Sequence, residues 1–253
     1  MPPIFGKLLK RKTITPNQFD ALYLQATNAA AAQEFQRAIP LYDQAIALDP
    51  SHAEAYYKRG NALKNLGRLD EAIASYNQAI ERRPDYAYAY CNRGVVQQSL
   101  GLTAAALSSY DQAIALEPTD AMSHYNRALL MQDCSRWDEV LASYNQAVSI
   151  DPGFADAQYN RSLALLFHGD FENGWREHEW RRRTGDPLFN RPGRVWKGED
   201  PFGHAILLYA EGGLGNAIQF VRHVPVLASM GARVTPVLRV QPRALLRGAT
   251  WAV

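Results

Sequence analysis

The strings YDQAIALDP (Tyr42–Pro50), YNQAIERRP (Tyr76–Pro84), YDQAIALEP (Tyr110–Pro118) and YNQAVSIDP (Tyr144–Pro152) are one phrase written four times. Successive copies start 34 residues apart, with no insertion or deletion. A fixed period of this length marks a solenoid, in which each unit buries its apolar face only against its neighbours. Inside the phrase the apolar residues recur at helical spacing, as in Tyr76, Ala79 and Ile80, so the phrase is the core-facing stripe of a helix. The closing proline cannot continue a helix and restrains the residue before it, which places the helix end just upstream.

A second helical stripe precedes each phrase. In residues 53–86 the pattern predicts a helix from about Ala53 to Leu66, a turn at Gly67, and a second helix from about Leu69 to Arg82 that Pro84 stops. Gly60, Ala72 and Ala79 are small where the helices must approach closely. Tyr56, Leu63, Ile73, Tyr76 and Ile80 fill the space between them. The set Tyr56, Gly60, Gly67, Ala72, Tyr76, Ala79 and Pro84 resembles the pattern of the tetratricopeptide repeat. That resemblance implies an all-α superhelical solenoid with helix–turn–helix units at 19–52, 53–86, 87–120 and 121–154, and a degenerate fifth at 155–188. The first unit has Gln33 where the turn glycine is usual. In the fifth, Gly174, His178 and Arg181 replace an alanine, an aromatic and an alanine. Terminal units often depart in this way because they cap the stack or meet something else.

Composition narrows the class. With 47% hydrophobic and 21% charged residues the chain is not disordered throughout, and it holds no apolar run long enough to span a membrane. The two cysteines, Cys91 and Cys134, cannot build a disulfide framework or a zinc site. Together with the absence of a signal-peptide core at the start, they lead us to expect a reducing cytoplasm. The net charge of +2 conceals a segregation: residues 1–18 form a basic tail with four bases and no acid, and residues 19–152 hold ten bases against sixteen acids. Residues 153–253 reverse the sign again, with thirteen bases against nine acids. An acidic repeat region is a poor nucleic-acid surface, so no nucleic-acid partner is expected. The histidines are scattered without ligand spacing, and His124 and His178 occupy packing positions. No metal, cofactor or catalytic residue is expected in the repeats.

A stack of helix pairs has a concave face lined mainly by the first helix of each pair. The sixth residue of each unit should look into it: Leu24, Lys58, Asn92, Asn126 and Asn160. Three successive asparagines would form a ladder, and an amide that both donates and accepts can pair with a peptide backbone whatever its side chains. A similar ladder lines the peptide groove of the eukaryotic O-GlcNAc transferase, which this region resembles. The alternative is that these are solvated helix-surface residues carried along by duplication. Tyr57, Tyr125 and Tyr159, at the fifth position, should lie near the same groove. The seventh residues are Arg59, Arg93, Arg127 and Arg161. They could form a basic stripe for acidic peptides, but pairing with Asp or Glu of an adjacent unit fits the acidic region better.

After the repeats comes the segment GDFENGWREHEWRRR (Gly169–Arg183), whose Phe171, Trp175, His178 and Arg182 are expected on one helical face. A turn-rich linker carrying Trp196 follows. Residues 189–253 then read as strand (Ala205–Tyr209), glycine-rich turn, helix (Ala217–Met230) and strand (Arg233–Val240), the opening of a doubly wound sheet. The turn holds Gly212, Gly213, Gly215 and Asn216, a candidate substrate loop at a helix N-terminus, and it lacks the full dinucleotide fingerprint. With AEGGLGNAIQFVRHVP, this arrangement resembles bacterial proteins that join tetratricopeptide repeats to a family 9, heptosyltransferase-like glycosyltransferase domain. In that family an aspartate, the candidate general base, usually stands where this chain has Asn216, and a carboxamide cannot take up a proton at neutral pH. The chain stops at Val253, without the second Rossmann domain that would hold a nucleotide-sugar. The resemblance therefore implies a truncated module, inactive alone unless a missing domain is supplied in trans. The leading functional expectation is a scaffold that holds a peptide or partner protein in the concave groove, with the tail docked on the last repeat. A glycosyltransferase, or the remnant of one, is the alternative.

Overall fold

The computed structural model describes residues 16–184, 199–209 and 223–237, which fall into two compact units divided between Thr184 and Gly185. The first unit is a row of helical hairpins. These are α1 (Pro16–Ala31) with α2 (Phe35–Leu48), α3 (Ala53–Asn65) with α4 (Leu69–Arg82), and α5 (Ala87–Ser99) with α6 (Thr103–Leu116). Then come α7 (Ala121–Asp133) with α8 (Trp137–Ile150), and α9 (Ala155–Phe167) with the short α10 (Phe171–His178). Each hairpin packs on the next, so the expected solenoid is the observed one. The bounds expected in the second unit agree with α3 and α4 to within a residue.

Local chemistry explains the hairpins. The second helices α2, α4, α6 and α8 stop two residues before Pro50, Pro84, Pro118 and Pro152. At α3 the chain reverses through a left-handed Gly67 (φ 73°), and the Arg68 and Gly67 amides close back on the carbonyls of Leu63 and Lys64. The same position is left-handed in every hairpin, including the two where it is not glycine: Gln33 (φ 61°) and Ser135 (φ 56°). Three first-turn donors find side-chain acceptors: His52 Nδ1 takes the Ala55 amide, Asp120 the Ser123 amide, and Asp170 the Asn173 amide.

The core is a series of tyrosine wedges. Tyr42, Tyr76, Tyr110 and Tyr144 are fully buried between the two helices of their hairpins. Each phenol is satisfied within its own hairpin, donating to Thr27, Asn61, Gln98 and Gln132 at 3.4, 2.8, 2.9 and 3.2 Å respectively. The facing residue must be small. A Cβ added at Gly60 would stand 2.6 Å from the Tyr76 ring, and one at Gly94 2.7 Å from Tyr110. Excluding each such ring from water contributes about 1.5–3 kcal/mol.

The fifth hairpin departs where the sequence does. His178 replaces the wedge, and α10 has 8 residues against 14 in its predecessors before a 3-10 turn (Glu179–Arg183) takes over. Gly174, in place of the usual alanine, lets α10 approach so closely that a Cβ there would meet Leu166 at 2.7 Å. Arg182, expected on the α10 face, lies in the 3-10 turn instead, because the helix ends before reaching it. His124 is buried as expected, its ring Nε2 3.1 Å from the Pro118 carbonyl.

In the second unit, β1 (Ala205–Tyr209) pairs in parallel with β2 (Arg233–Val237), from Ala205 opposite Arg233 to Tyr209 opposite Val237. Helix α11 (His223–Ser229) lies between them in sequence, and Ile206, Leu227 and Ala232 pack together beneath. The expected first strand, the second half of the expected helix and residues 233–237 of the expected second strand are thus present, and residues 238–240 lie outside the described residues. The turn Gly212, Gly213, Gly215 and Asn216 lies outside the described residues, as do Trp196 and residues 1–15 of the basic tail. Among the described residues no helix is long and apolar enough to cross a membrane.

Candidate functional site

The first helices carry three consecutive positions, the fifth to seventh of each unit, that cross the junction between hairpins in a repeated way. Asn92 donates an amide N–H to the Tyr57 hydroxyl of the hairpin before it (2.8 Å), and Asn160 does the same to Tyr125 (3.0 Å). Asn126 finds a cysteine where a tyrosine would be, and donates to Cys91 Sγ at 3.5 Å. At the first junction the sixth residue is Lys58. Its ammonium lies 5.4 Å from the Tyr23 ring centroid and 3.4 Å from Glu54. Asn92, Asn126 and Asn160 are thus a row of half-buried side chains, each tied to the fifth residue of the preceding unit. Sequence reasoning treated the two positions separately. The signal that links them is the constant separation of 35 residues in Tyr57–Asn92, Cys91–Asn126 and Tyr125–Asn160.

These ties orient the amides without exhausting them. Asn126 and Asn160 each spend one N–H inward, and among the described residues the carbonyl and second N–H make no other hydrogen bond. Asn92 is held at both ends, because Lys64 Nζ donates to its carbonyl at 3.3 Å. Burial lowers the pKa of that ammonium.

The tyrosines of the fifth position are packed as well as paired. Tyr57 sits against Tyr76 and Tyr86, with ring centroids 6.1 and 5.0 Å away, and Tyr125 sits likewise against Tyr144 and Phe154 at 6.0 and 4.8 Å. Tyr159 meets the His178 ring edge-on at 5.3 Å. Burial raises the Tyr57 and Tyr125 phenols above their ordinary range, so both are neutral hydrogen-bonding groups at physiological pH. Burial also pushes the Cys91 thiol up, which keeps it protonated and inert. Exposed apolar side chains on the first helices include Leu24, Tyr88, Met122, Leu163 and Phe167.

The seventh position is a clamp. Arg59 binds Asp43 of the preceding hairpin and Ser75 of its own, both at 2.6 Å. Arg127 repeats this with Asp111 and Ser143, both at 2.8 Å. Arg93 reaches Asn77 (2.8 Å) and Ser109 (3.1 Å); Arg161 reaches Asn145 (3.3 Å) and holds Glu177 through two nitrogens at 2.9 Å. The expected pairing with an acid of the adjacent unit is observed for Arg59 and Arg127, while Arg93 and Arg161 reach an asparagine there instead; all four guanidiniums are committed to stacking. The acceptor follows the tyrosine of each phrase, where Asp and Asn alternate as Asp43, Asn77, Asp111 and Asn145. No cluster of metal-ligating side chains occurs among the described residues.

Comparison with known proteins bears on the same residues. A model described as a TPR repeat matches residues 30–67 and 60–101, and one described as a tetratricopeptide repeat matches residues 87–120. The matched residues, 30–120, are tetratricopeptide repeats. No curated protein matches the chain. Among solved structures, MamA is 24% identical over 61% of this chain and 91% of its own, with a TM-score of 0.56. YrrB, titled a TPR protein with an unusual peptide-binding site, is 24% identical over 66% of this chain and 87% of its own, with a TM-score of 0.53. PilW, a type IV pilus biogenesis factor, is 19% identical over 66% of this chain and 78% of its own, at a TM-score of 0.58. At such identities the likeness is one of fold, and it supports the helical tetratricopeptide solenoid.

Proposed function

We propose that the protein is an interaction scaffold that binds a peptide or an extended segment of a partner protein along its first-helix face. The observation that carries this reading is the pinned ladder of Asn92, Asn126 and Asn160. A row of amides oriented by Tyr57, Cys91 and Tyr125 has lost its rotational freedom before a ligand arrives, so less entropy is forfeited on binding. Pairing through a backbone-like amide gives affinity, while exposed Tyr88 and Met122 offer apolar contact for ligand side chains. The peptide-binding site named for YrrB supports the same use of the fold.

The test starts with peptides selected from a random display library on the full chain, their affinity measured by calorimetry. Changing Asn92, Asn126 and Asn160 together to Ala is expected to weaken the selected peptide at least about tenfold, with helix content retained. Unchanged affinity in that folded variant sinks the ladder. A second reading, a glycosyltransferase-like module in residues 189–253, is favoured by the parallel pairing of β1 and β2 on either side of α11. Calorimetric binding of a UDP-, GDP- or ADP-sugar would establish it, and the absence of heat with all three would remove it. Parallel β-α-β units serve many chemistries, so the scaffold reading stands first.

A further inference from the structure

We infer that the junction between the third and fourth hairpins is a hinge, about which hairpins four and five swing together against hairpins one to three. A chain of rings crosses each of the other junctions. In it the buried wedge of one hairpin touches that hairpin's fifth residue, which touches the residue just before the next first helix. At the first junction the rings are Tyr42, Tyr23 and His52, with successive centroids 6.1 and 5.2 Å apart. At the second they are Tyr76, Tyr57 and Tyr86, and at the fourth Tyr144, Tyr125 and Phe154. Aromatic pairs hold preferred mutual orientations, so such a chain fixes the angle between hairpins as well as their separation.

At the third junction the chain stops at Tyr110, because Cys91 and Asp120 stand where the next two rings would be. Among the described residues this is the one junction without it. Asp120 spends its carboxylate on the first turn of α7, accepting the Ser123 amide at 3.0 Å. Cys91 leaves Asn126 a sulfur at 3.5 Å where Asn92 and Asn160 have phenols at 2.8 and 3.0 Å, and sulfur is a weak acceptor. Burial is kept. Cys91, Ala106 and Tyr110 form one buried cluster with Ala128, Leu130 and Met131 of the fourth hairpin. Apolar burial is non-directional, and thiol and thioether side chains adapt to shifted neighbours. This cluster therefore holds the two hairpins together without fixing their angle.

Elsewhere the same junction is held. Arg127 of α7 binds Asp111 of the third hairpin and Ser143 of its own, both at 2.8 Å, and Glu139 at 3.3 Å. Near the C-terminal ends of α5 and α7, Gln98 donates to Asp133 at 2.9 Å. A junction that is clamped at these points and loose where the rings are missing moves by rotation about the held points rather than by separation. That rotation changes the distance from Asn92 to Asn126 and carries Asn126 and Asn160 together. The ladder would then adjust to ligands of different spacing, a consequence that rests on the proposed function, whereas the hinge itself does not.

The test places pairs of nitroxide labels on introduced p-acetylphenylalanine residues of the full chain, which leaves both cysteines in place. Ala74, Ser108 and Ala142 are equivalent exposed positions of α4, α6 and α8. Double electron–electron resonance is expected to give a broader distance distribution for Ser108 with Ala142, across the third junction, than for Ala74 with Ser108, across the second. Cys91→Tyr with Asp120→Phe, which rebuilds the ring chain, should narrow the third junction to the width of the second. Tyr57→Cys with Tyr86→Asp, which moves the third junction's residues to the second, should broaden the second. This variant removes bulk instead of adding it, so it reads the same cause without overpacking. Equal widths at the two junctions of the unaltered protein overturn the inference. So does a third junction that stays broad in the rebuilt variant with its helix signal retained, or a second junction that stays narrow in the transplanted one. No ligand enters the measurement, so its outcome is independent of the peptide-binding reading.

Discussion

The first four hairpins and the fifth differ in which of two obligations they keep. A hairpin must close on itself, through the tyrosine wedge, and must fit the hairpin before it, through the asparagine tie and the arginine clamp. Hairpins one to four close on themselves in one way, with Tyr42, Tyr76, Tyr110 and Tyr144 at zero exposure. The fifth keeps the backward fit. Asn160 ties to Tyr125, Arg161 reaches Asn145, and Ala157 and Ala164 are buried. Its second helix abandons the wedge for His178, shortens, and turns Phe171 and Trp175 outward. The fifth hairpin thus follows the stack on its first helix and departs from it on its second. The period persists where packing enforces it and lapses where the next neighbour is no longer another copy.

The largest expected effect tests whether the wedge is the main source of hairpin closure. Tyr110→Ala removes a fully buried ring and strands the Gln98 carbonyl it satisfied, a change expected to cost about 3–5 kcal/mol in urea unfolding. His178→Ala, in the hairpin without the wedge, should cost roughly 1 kcal/mol or less, as truncation of a half-buried side chain does. Equal losses at the two sites would dissolve the comparison.

An alkaline titration sharpens it. Burial raises the phenols of Tyr76, Tyr110 and Tyr144 well above the ordinary tyrosine value of about 10. The unfolded chain then loses its phenolic protons first. The stabilisation is complete below pH 10 and is lost as pH climbs from there towards the folded values. Melting temperature should therefore fall above pH 10. Tyr110→Phe should make the fall shallower by about 1 kcal/mol per pH unit, because a group that cannot ionise drops out of the linkage. The same slope in the wild type and in Tyr110→Phe would mean that the wedge is solvated.

Much of this was legible in the sequence because the repeat forces one residue type to recur where packing is the same. The unit boundaries, the wedge and the clamp's commitment to neighbouring units follow from Tyr, Gly, Arg and Pro at a fixed period. The tie between the fifth and sixth positions was harder to see, since Tyr57 and Asn92 meet only once two hairpins are stacked. Nor does a consensus show what a half-buried amide has already spent. The end of α10 was misjudged for a related reason. Periodicity extended the apolar face to Arg182, but without the wedge the helix gives way to a 3-10 turn at Glu179. Exposure of Phe171 and Trp175 could not be read at all, because the same letters would be buried were another copy to follow.

The smallest expected effect concerns the reversal inside each hairpin. Hairpins one and four lack the turn glycine yet keep the geometry, with Gln33 and Ser135 left-handed. The fifth, which departs most elsewhere, retains Gly169 (φ 84°). A left-handed residue with a Cβ costs roughly 1–2 kcal/mol. Glycine would relieve that cost but would loosen the unfolded chain by roughly 0.5–1 kcal/mol. The difference predicts that Gln33→Gly and Ser135→Gly each stabilise the protein by about 0.5–1 kcal/mol, provided the replaced side chains contribute nothing themselves. Both are exposed, and neither makes a side-chain hydrogen bond among the described residues. Gly169→Ala should move the other way by a similar amount. Thermal melting of the three variants reads the sign directly. If Gln33→Gly and Ser135→Gly were neutral or destabilising, these two side chains would have to be holding their turns through contacts of their own. Hairpins one and four would then have replaced the glycine rather than merely tolerated its loss.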